Sequence, residues 1–286
     1  MIKLIVSDLD GTLLNDDGKV SKENIKAITD LSKFGIQFLI CSGRAYWEIG
    51  DIIDDCGIKN TAICLNGSDM RDENGNSILN HYLKNDYVDL IYQLSCEQKC
   101  ACLYHCLDRT YLTISRKELE LYFIQYVMEK DHLTTFEAKE KYKRYYIYNY
   151  GRCDKYIDDI KKKKVVKAEF VFLNNYQYDR IFDYLSKFDL NVANGYEEIN
   201  NLEITDSKAS KGSMLMEYCK LNNYQKNEVM VIGDSFNDLS MFDMFEYSAA
   251  VMNAPDEVKQ HARYITSSNN DHGVAEILKK IMLGAI

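Results

Sequence analysis

Residues 4–14 read LIVSDLDGTLL, an apolar run followed at once by two aspartates and a glycine. The apolar run predicts a buried strand, and Gly11 permits a sharp exit from it. Asp8 and Asp10 stand two positions apart, so in extended chain both side chains face the same side. Ligands of open α/β sheets bind beyond the carboxyl ends of the strands, where both aspartates emerge. The stretch therefore predicts a strand that delivers a functional site.

Further apolar runs bounded by turn residues recur along the chain, at residues 38–40, 62–65, 229–232, 249–252 and 264–266. Between the first two strands the pattern predicts a helix with Ser21 as N-cap and Gly35 as its stop. A second helix is predicted over Tyr46–Asp55, so the chain opens in the order β-α-β-α-β. This alternation predicts an α/β fold with a doubly wound, Rossmann-like parallel sheet.

The composition changes between residues 83 and 206, where tyrosine becomes frequent and glycine nearly vanishes. Short strand candidates, among them residues 145–149 and 169–173, alternate there with polar helices. We expect residues 83–206 to form an inserted α/β domain, and residues 1–82 and 207–286 to form the core.

The overall composition favours a small ligand over a nucleic acid. The 286 residues carry a net charge of −9, whereas binding to a phosphate backbone normally needs a basic face. No run approaches the ~20 apolar residues of a membrane span, and no signal-peptide pattern precedes the first strand. We therefore expect a cytoplasmic protein without a membrane partner. Nine scattered cysteines suit reduced thiols better than a disulfide framework.

One cysteine cluster raises the alternative of a zinc site. It comprises Cys96, Cys100, Cys102 and Cys106, with His105 beside them. The spacing lacks paired C-x2-C knuckles, and a strand over Ala101–Cys106 would point His105 away from Cys102 and Cys106. The pattern favours ordinary buried thiols.

A second acidic segment complements the first. Residues 233–238 read GDSFND and follow the predicted strand at 229–232, so Asp234 should also lie at the carboxyl edge of the sheet. Aspartates held this close repel one another unless a cation joins them, and hard carboxylate oxygens select Mg²⁺. We expect a magnesium site that involves Asp8 and Asp234.

Two more segments offer groups for an anion. Ser42 and Gly43, followed by Arg44, come after the second predicted strand and provide a hydroxyl and backbone amides at a helix N-terminus. Lys211, followed by Gly212, opens another helix and offers a positive charge. Each segment alone is a weak signal, but the four in this order are strong.

The four segments resemble the motifs of the haloacid dehalogenase superfamily of phosphohydrolases, over essentially the whole chain. Within it the sequence is similar to the Cof-type sugar-phosphatase group, which carries a large C2B-type α/β cap between its second and third motifs. The resemblance implies that Asp8 is the nucleophile and a magnesium ligand. It implies that Asp10 is the general acid and base and ligates Mg²⁺ through its backbone carbonyl, while Asp234 completes the protein ligands and Asp238 supports them.

For the phosphate group, the resemblance implies contacts with Ser42, Lys211, Asn237 and the amides of Leu9 and Gly43. The implied reaction is hydrolysis of small phosphate monoesters, by family default sugar phosphates, through an aspartyl-phosphate. The partner would be a small phosphorylated metabolite, and the inserted domain a mobile cap that closes over the phosphate site and selects among esters. A phosphomutase of the same superfamily and a non-catalytic sensor of phosphate ligands are the alternatives.

Two segments resemble family sequences near the site without a settled role. Asn66-Gly67 follows the third predicted strand and Asn253-Ala254-Pro255 follows the fifth. Turn formation and direct substrate contact are equally open for both. Residues 250–253 also depart from the family pattern, because no glycine separates Met252 from Asn253.

Overall fold

The computed structural model describes residues 1–55, 57, 61–146, 152–153, 156–196 and 199–286. The chain divides into two compact units. The first unit comprises Met1–Asn80 and Ala209–Ile286, and the second unit comprises His81–Lys208. Within the described ranges, no helix is both long and apolar enough to cross a membrane.

Strands and helices alternate along most of the chain. The strands are β1 (Leu4–Ser7), β2 (Gln37–Cys41), β3 (Ala62–Cys64), β4 (Asp69–Arg71), β5 (Ser77–Asn80), β6 (Ala101–Cys106), β7 (Thr110–Leu112), β8 (Arg152–Cys153), β9 (Val165–Val171), β10 (Leu190–Tyr196), β11 (Ile199–Asp206), β12 (Val229–Gly233), β13 (Tyr247–Val251) and β14 (Tyr264–Thr266). The α-helices are α1 (Lys22–Leu31), α2 (Tyr46–Asp55), α3 (Asn85–Gln98), α4 (Arg116–Lys130), α5 (Thr135–Tyr146), α6 (Ile157–Lys161), α7 (Asn175–Leu185), α8 (Lys211–Asn222), α9 (Leu239–Met244), α10 (Asp256–Lys259) and α11 (Gly273–Met282).

The first unit is built on a sheet with the strand order β14-β13-β12-β1-β2-β3-β4-β5. Its pairs are parallel from β14 to β3 and antiparallel from β3 to β5. Leu4 and Val6 point to one face of β1 and belong to a buried cluster with residues of α8 and α9. Helices α1 and α11 contact each other and the strands β2 and β13, respectively. The predicted doubly wound α/β fold is confirmed, and each predicted core strand is present.

Local signals explain the first crossover helix. Ser21 accepts a hydrogen bond from the backbone N–H of Asn24, which satisfies one of the free donors at the start of α1. Ala27, Ile28 and Leu31 are buried on one side of the helix. The chain then turns at Gly35, whose φ of 67° is left-handed. The predicted N-cap is therefore confirmed, whereas α1 itself ends at Leu31 and Gly35 ends the short 3-10 turn, Ser32–Phe34, that follows it.

The second unit has its own sheet, with the order β10-β11-β9-β6-β7-β8. It is antiparallel throughout, apart from the parallel pair of β7 and β8. Cys102, Tyr104 and Cys106 lie on one face, in a buried apolar cluster with residues of α3 and α7. Helices α4 and α5 bury apolar side chains of the other face, including Leu103 and Leu112. The sheet is thus covered by its own helices over much of both faces.

The second face also carries a network of buried polar side chains, which we call the sheet network. Lys167 binds Glu203 with an N–O distance of 2.5 Å and lies 3.7 Å from Glu169. Glu169 accepts a hydrogen bond of 2.7 Å from Asn201 and lies 3.3 Å from the ring of His105. These residues are on three neighbouring strands, and register brings them side by side.

Two of the strands predicted in the inserted segment differ from the structure. A strand over residues 145–149 is wrong at its start, because α5 continues through Tyr146; residues 147–149 lie outside the described part of the chain. The helix is favoured by reciprocal hydrogen bonds between Thr134 and Glu137 at its start. The strand predicted at residues 169–173 is present but begins earlier, as β9.

The predicted orientation of the cysteine cluster is confirmed. Cys102 and Cys106 lie in the apolar cluster under α3 and α7, whereas His105 lies in the sheet network on the opposite face. Among the described residues, the group of acidic, histidine and cysteine side chains that could share a metal ion consists of aspartates of the first unit. The alternative of a zinc site at these cysteines thus has no support in the described residues.

Candidate active site

The first motif forms a tight turn directly after β1. Asp8 donates its backbone N–H to the Ile232 carbonyl at 2.8 Å, which ties the end of β1 to β12. The next residues coil in a helical turn that is broken at Asp10 (ψ 129°) and at Gly11 (φ 71°). A Cβ atom on Gly11 would lie 2.4 Å from Oδ2 of Asp234, so glycine is required by both conformation and space. The turn therefore brings the first motif into contact with the fourth, at Asp234.

Lys211 joins three of the predicted motifs. Its Nζ lies 2.6 Å from Oδ1 of Asp8 and 2.7 Å from Oδ1 of Asp238. The lysine is 1% exposed, and it is placed by the first turn of α8, where Ser210 acts as N-cap. A buried ammonium between two carboxylates holds the ends of β1, β12 and the start of α8 in one cluster.

The fourth motif supplies the remaining carboxylates. Oδ2 of Asp238 accepts the backbone N–H groups of Asp234 and Ser235, each at 3.0 Å. Asp238 is therefore bonded at both oxygens, once the contact with Lys211 is included. Asp234 accepts a hydrogen bond of 2.8 Å from Thr12 at Oδ1. One carboxylate oxygen from each of Asp8, Asp234 and Asp238 lies within 4.8 Å of the others.

The electrostatics of this cluster are unbalanced. Burial raises the pKa of Asp8 well above its ordinary value, because the attraction of Lys211 does not offset desolvation and the charges of Asp238 and Asp234. Burial, together with the charge of Asp238, also raises the pKa of Asp234 to about 6. For Lys211, burial acts to lower the pKa, but the charges of Asp238 and Asp8 outweigh it and raise the pKa. The carboxylates outnumber the cation that neutralises them.

A divalent cation fits this donor set. The oxygens come from carboxylates, the hard ligands that Mg²⁺ prefers, and a bound cation would offset the burial and the neighbouring charges that raise the pKa values of Asp8 and Asp234. Asp238 is occupied by Lys211 and by backbone amides, so Asp8 and Asp234 are the side chains available to an ion. Asp10 does not belong to this carboxylate group, which leaves its backbone carbonyl as the ligand predicted from the sequence.

The Asp10 side chain has a partner that sequence reasoning did not predict. Arg44 donates from Nε to Oδ2 of Asp10 at 2.7 Å and from Nη2 to Oδ1 at 2.5 Å. The pair is bidentate, and the Asp10 side chain remains 42% exposed. Nothing in the local sequence of the second motif indicates that the Arg44 guanidinium reaches back to the end of the first strand.

The predicted phosphate-binding residues lie around a second polar group. Ser42 is buried, and its Oγ accepts the backbone N–H of Arg44 at 3.1 Å. A Cβ on Gly43 would lie 3.0 Å from Oδ1 of Asn66, and this same oxygen accepts a hydrogen bond of 3.1 Å from Asn237. The second and fourth motifs therefore meet through Asn66, in agreement with its location near the site.

The segment after β13 also reaches the first motif. Asn253 donates from Nδ2 to the Gly11 carbonyl at 2.8 Å. The predicted nucleophile Asp8 is followed directly by Leu9, whose side chain is buried while its backbone belongs to the turn. Of the predicted site residues, the structure thus links Asp8, Lys211 and Asp234 through the carboxylate cluster. Gly43 and Asn237 meet at Asn66, and Asp10 is held by Arg44.

A family model described as haloacid dehalogenase-like hydrolase matches residues 5–278. Phosphatase YwpJ of Bacillus subtilis (strain 168) is 26% identical over 307 residues, which cover 98% of this chain and 100% of that protein. In the same organism, 5-amino-6-(5-phospho-D-ribitylamino)uracil phosphatase YcsE is 25% identical over 283 residues, covering 99% of this chain and 96% of that protein.

Solved structures give the same result. A haloacid dehalogenase-like hydrolase from B. subtilis superposes with a TM-score of 0.82 at 25% identity, covering 97% of this chain and 99% of that chain. The predicted resemblance is confirmed, as is the prediction that the protein is an enzyme of this hydrolase type. The chain belongs to the haloacid dehalogenase-like hydrolase family.

Proposed function

We propose that this protein is a magnesium-dependent phosphatase that hydrolyses small phosphate monoesters through an aspartyl-phosphate on Asp8. The observation that carries the proposal is the buried cluster in which Lys211 bridges Asp8 and Asp238 beside Asp234. Phosphoryl transfer depends mainly on positioning and on positive charge near the transferring group, and this cluster offers both a fixed nucleophile and a deficit of cations. The relatives named as phosphatases support the reaction type.

In the first step, a carboxylate oxygen of Asp8 attacks phosphorus and the bond between phosphorus and the ester oxygen breaks. The leaving alkoxide takes a proton from Asp10, which must therefore enter this step protonated. Lys211 fixes the rotamer of Asp8 and screens its charge from the approaching phosphate. The partly exposed side chain of Asp10 is accessible to the leaving group.

In the second step, Asp10 acts as a base. It removes a proton from a water molecule, whose oxygen attacks phosphorus as the bond to Asp8 breaks and inorganic phosphate leaves. The pair with Arg44 holds Asp10 in place for this step, because the guanidinium donates to both carboxylate oxygens. This step releases inorganic phosphate, the alcohol having left in the first step, and Asp8 returns to its starting state.

The phosphate oxygens would be held by Ser42, by the amides of Leu9 and Gly43, by Lys211 and by Asn237. Asp8, Asp234 and the backbone carbonyl of Asp10 would hold Mg²⁺. When bound, this ion neutralises the negative charge of the phosphate and of the carboxylates that face it. Asn66 supports the phosphate site, because its bond to Asn237 fixes the amide beside Gly43.

The substrate class that we propose is the small phosphorylated metabolite, with sugar phosphates first. One relative is named for a phosphorylated ribityl chain, so a phosphate ester on a polyol also belongs in the test set. Every residue with a proposed chemical role lies in the first unit, so we assign the selection of the leaving group to the second unit. Replacing residues 83–206 with a short linker should flatten the substrate ranking more than it harms turnover of para-nitrophenyl phosphate.

A screen of phosphorylated metabolites tests the proposal directly. The protein is incubated with each ester in Mg²⁺ or in excess chelator, and both inorganic phosphate and organic products are measured. We expect free phosphate, the matching alcohol and loss of activity in chelator. Transfer of phosphate to another hydroxyl of the substrate would instead identify a phosphomutase. Tight ester binding with no turnover would identify a sensor, and full activity in chelator would exclude the magnesium mechanism.

A further inference from the structure

The turn that carries Asp10 is held from three directions by side chains distant in sequence. Arg44 binds the Asp10 carboxylate, Thr12 ties the turn to Asp234, and Asn253 donates to the carbonyl of Gly11. The first two contacts involve residues that already have a proposed place in the site. The third does not, and it acts on the carbonyl of Gly11, the residue that directly follows the proposed general acid.

The orientation of the Asn253 amide is determined by its backbone partners. Its Nδ2 lies 2.8 Å from the Gly11 carbonyl, which can only accept, and its Oδ1 lies 2.9 Å from the backbone N–H of Asn269, which can only donate. A flipped amide would lose both hydrogen bonds. Asn253 is therefore a bridge with a fixed direction, from Asn269 to the active-site turn.

The far end of this bridge is anchored in the first unit. Asn269 is 4% exposed, and its side chain donates to the Leu14 carbonyl and to Asp16, each at 3.1 Å. Asn253 therefore connects the buried residue Asn269 to the carbonyl of Gly11, in the middle of the first motif. Asn253 itself is exposed, but its hydrogen bond to the buried Asn269 allows it to resist displacement of the turn.

The turn needs an external contact because Gly11 has more backbone freedom than any other residue type. Its φ of 71° is left-handed, and its Cα packs against Asp234 so closely that a Cβ would lie 2.4 Å from Oδ2. A rotation about Gly11 would move Asp10 on one side and Thr12 on the other. Misplacement of a catalytic group by about 1 Å can cost ~10²-fold in rate.

We propose that Asn253 is a positioning residue for Asp10, acting through the Gly11 carbonyl to hold the general acid in line with the leaving group. This inference rests on the proposed function, because it assumes that Asp10 donates a proton to the departing oxygen. It assigns a role to the segment after β13, for which the sequence left turn formation and substrate contact equally open. Asn253 supports the turn and needs no contact with substrate.

The test compares two esters that differ in their need for an acid. An alkyl phosphate releases a strongly basic alkoxide that requires a proton, whereas para-nitrophenyl phosphate releases a weakly basic nitrophenolate that leaves without one. Asn253→Asp keeps the acceptor for the N–H of Asn269 but places a carboxylate oxygen against the Gly11 carbonyl, so it breaks a single contact. Asn253→Ala removes both contacts.

We expect both variants to lose about 10- to 100-fold in kcat/KM for the alkyl phosphate that the wild type hydrolyses fastest. The loss for para-nitrophenyl phosphate should be no more than about threefold by the same argument. Asp10→Asn is the benchmark and should show the same selectivity with a larger loss. Asn270→Ala is the matched control, because Asn270 is an exposed neighbour that binds Asp16 and does not reach Gly11.

Several outcomes would overturn the inference. Equal losses on the two esters would mean that Asn253 acts on phosphate binding, on the ion or on folding, and wild-type kinetics in Asn253→Asp would mean that the bridge has no role. Melting temperatures separate a folding defect from a catalytic one. A wild-type enzyme that hydrolyses neither ester would refute the proposed function and the inference together, whereas selective loss in Asp10→Asn without selective loss in the Asn253 variants would refute the inference alone.

Discussion

The two units each bury a group of charged side chains, and the two groups differ in balance. In the first unit, the carboxylates of Asp8, Asp234 and Asp238 share one ammonium, and the pKa values of Asp8 and Asp234 are raised. In the sheet network of the second unit, burial acts to raise the pKa of Glu169. There, however, the charge of Lys167 and the hydrogen bond from His105 outweigh it and lower the pKa to about 2.

The opposite pKa shifts indicate different roles for the carboxylate cluster and the sheet network. In the sheet network the burial of Glu169 is offset by Lys167, His105 and Asn201, which is the arrangement expected of a group that supports the fold. In the carboxylate cluster the burial of charge is not offset, so the protein carries an unfavourable term that a cation would remove. In this protein, buried charge thus indicates the candidate active site where partners do not offset the burial, as at Asp8 and Asp234, and not where they do, as at Glu169.

The largest effect should come from removing the proposed nucleophile. Asp8→Asn keeps the size of the side chain but has no anionic oxygen to attack phosphorus, so we expect kcat to fall by at least ~10³-fold. Because the change also relieves repulsion in the cluster, the melting temperature of the metal-free protein should not fall. Steady-state kinetics and thermal unfolding measure the two effects. Asp17→Asn, at an exposed position of the same loop, is the control; turnover at the wild-type rate in folded Asp8→Asn protein would contradict the mechanism.

Breaking the sheet network should instead lower the stability of the second unit. Lys167→Met removes the ammonium that binds Glu203, and both nearby carboxylates then remain buried without it. Loss of one partner of a buried ion pair typically costs about 3–5 kcal/mol, so we expect a large fall in the urea midpoint for unfolding of the second unit.

Lys162→Met provides the matched control for this change. Lys162 pairs with Asp159 on the surface of the second unit, where side-chain exposures of 75% and 50% leave the pair open to solvent, so its loss should hardly move the midpoint. If Lys167→Met were as stable as Lys162→Met, the sheet network would not be the compensated group that the pKa of Glu169 indicates.

A carboxylate-to-amide change should stabilise one unit and destabilise the other. The raised pKa of Asp234, about 6, corresponds to at most about 3 kcal/mol at neutral pH, and Asp234 is only half-buried. By this reasoning, we expect Asp234→Asn to raise the free energy of unfolding of the metal-free protein by about 1–2 kcal/mol. The variant should also lose the stabilisation that Mg²⁺ gives the wild type. Glu169→Gln should lose stability. Thermal unfolding with and without Mg²⁺ measures both; a destabilised metal-free Asp234→Asn would contradict the comparison.

Much of the fold and the acidic motifs could be predicted from local sequence, and the contacts that organise the site could not. Asp8 and Asp234 follow apolar runs that fix strand ends, so their meeting at one sheet edge is a consequence of topology. The contact between Asn253 and Gly11 spans 242 positions and has no local signal. Glu169 likewise alternates with apolar residues in β9, a pattern that normally indicates a solvent-facing side chain.

The pH dependence of stability should be the smallest of these effects. Asp234 has a pKa of about 6 in the folded protein, above the ordinary aspartate value of 3.8, so the folded state binds its proton more tightly than the unfolded state does.

The contribution of Asp234 to folding stability is therefore most favourable below about pH 4 and is lost as the pH rises through about 6. Lowering the pH of metal-free protein from about 7 to about 5 should then narrow the stability gap between wild type and Asp234→Asn by roughly 1 kcal/mol. The pKa of Glu169 shifts the other way, to about 2. Its contribution to folding stability is therefore present above the ordinary value of 4.5 and fades only as the pH falls toward 2, so Glu169 contributes nothing to the change between about pH 7 and about pH 5. In saturating Mg²⁺ the narrowing should disappear, because a bound cation keeps Asp234 ionised at both pH values. Thermal unfolding at the two pH values, with and without Mg²⁺, measures the gap. A gap that stays constant in metal-free protein would show that the Asp234 carboxylate is already compensated, and the contrast between the two buried groups would fail at its central residue.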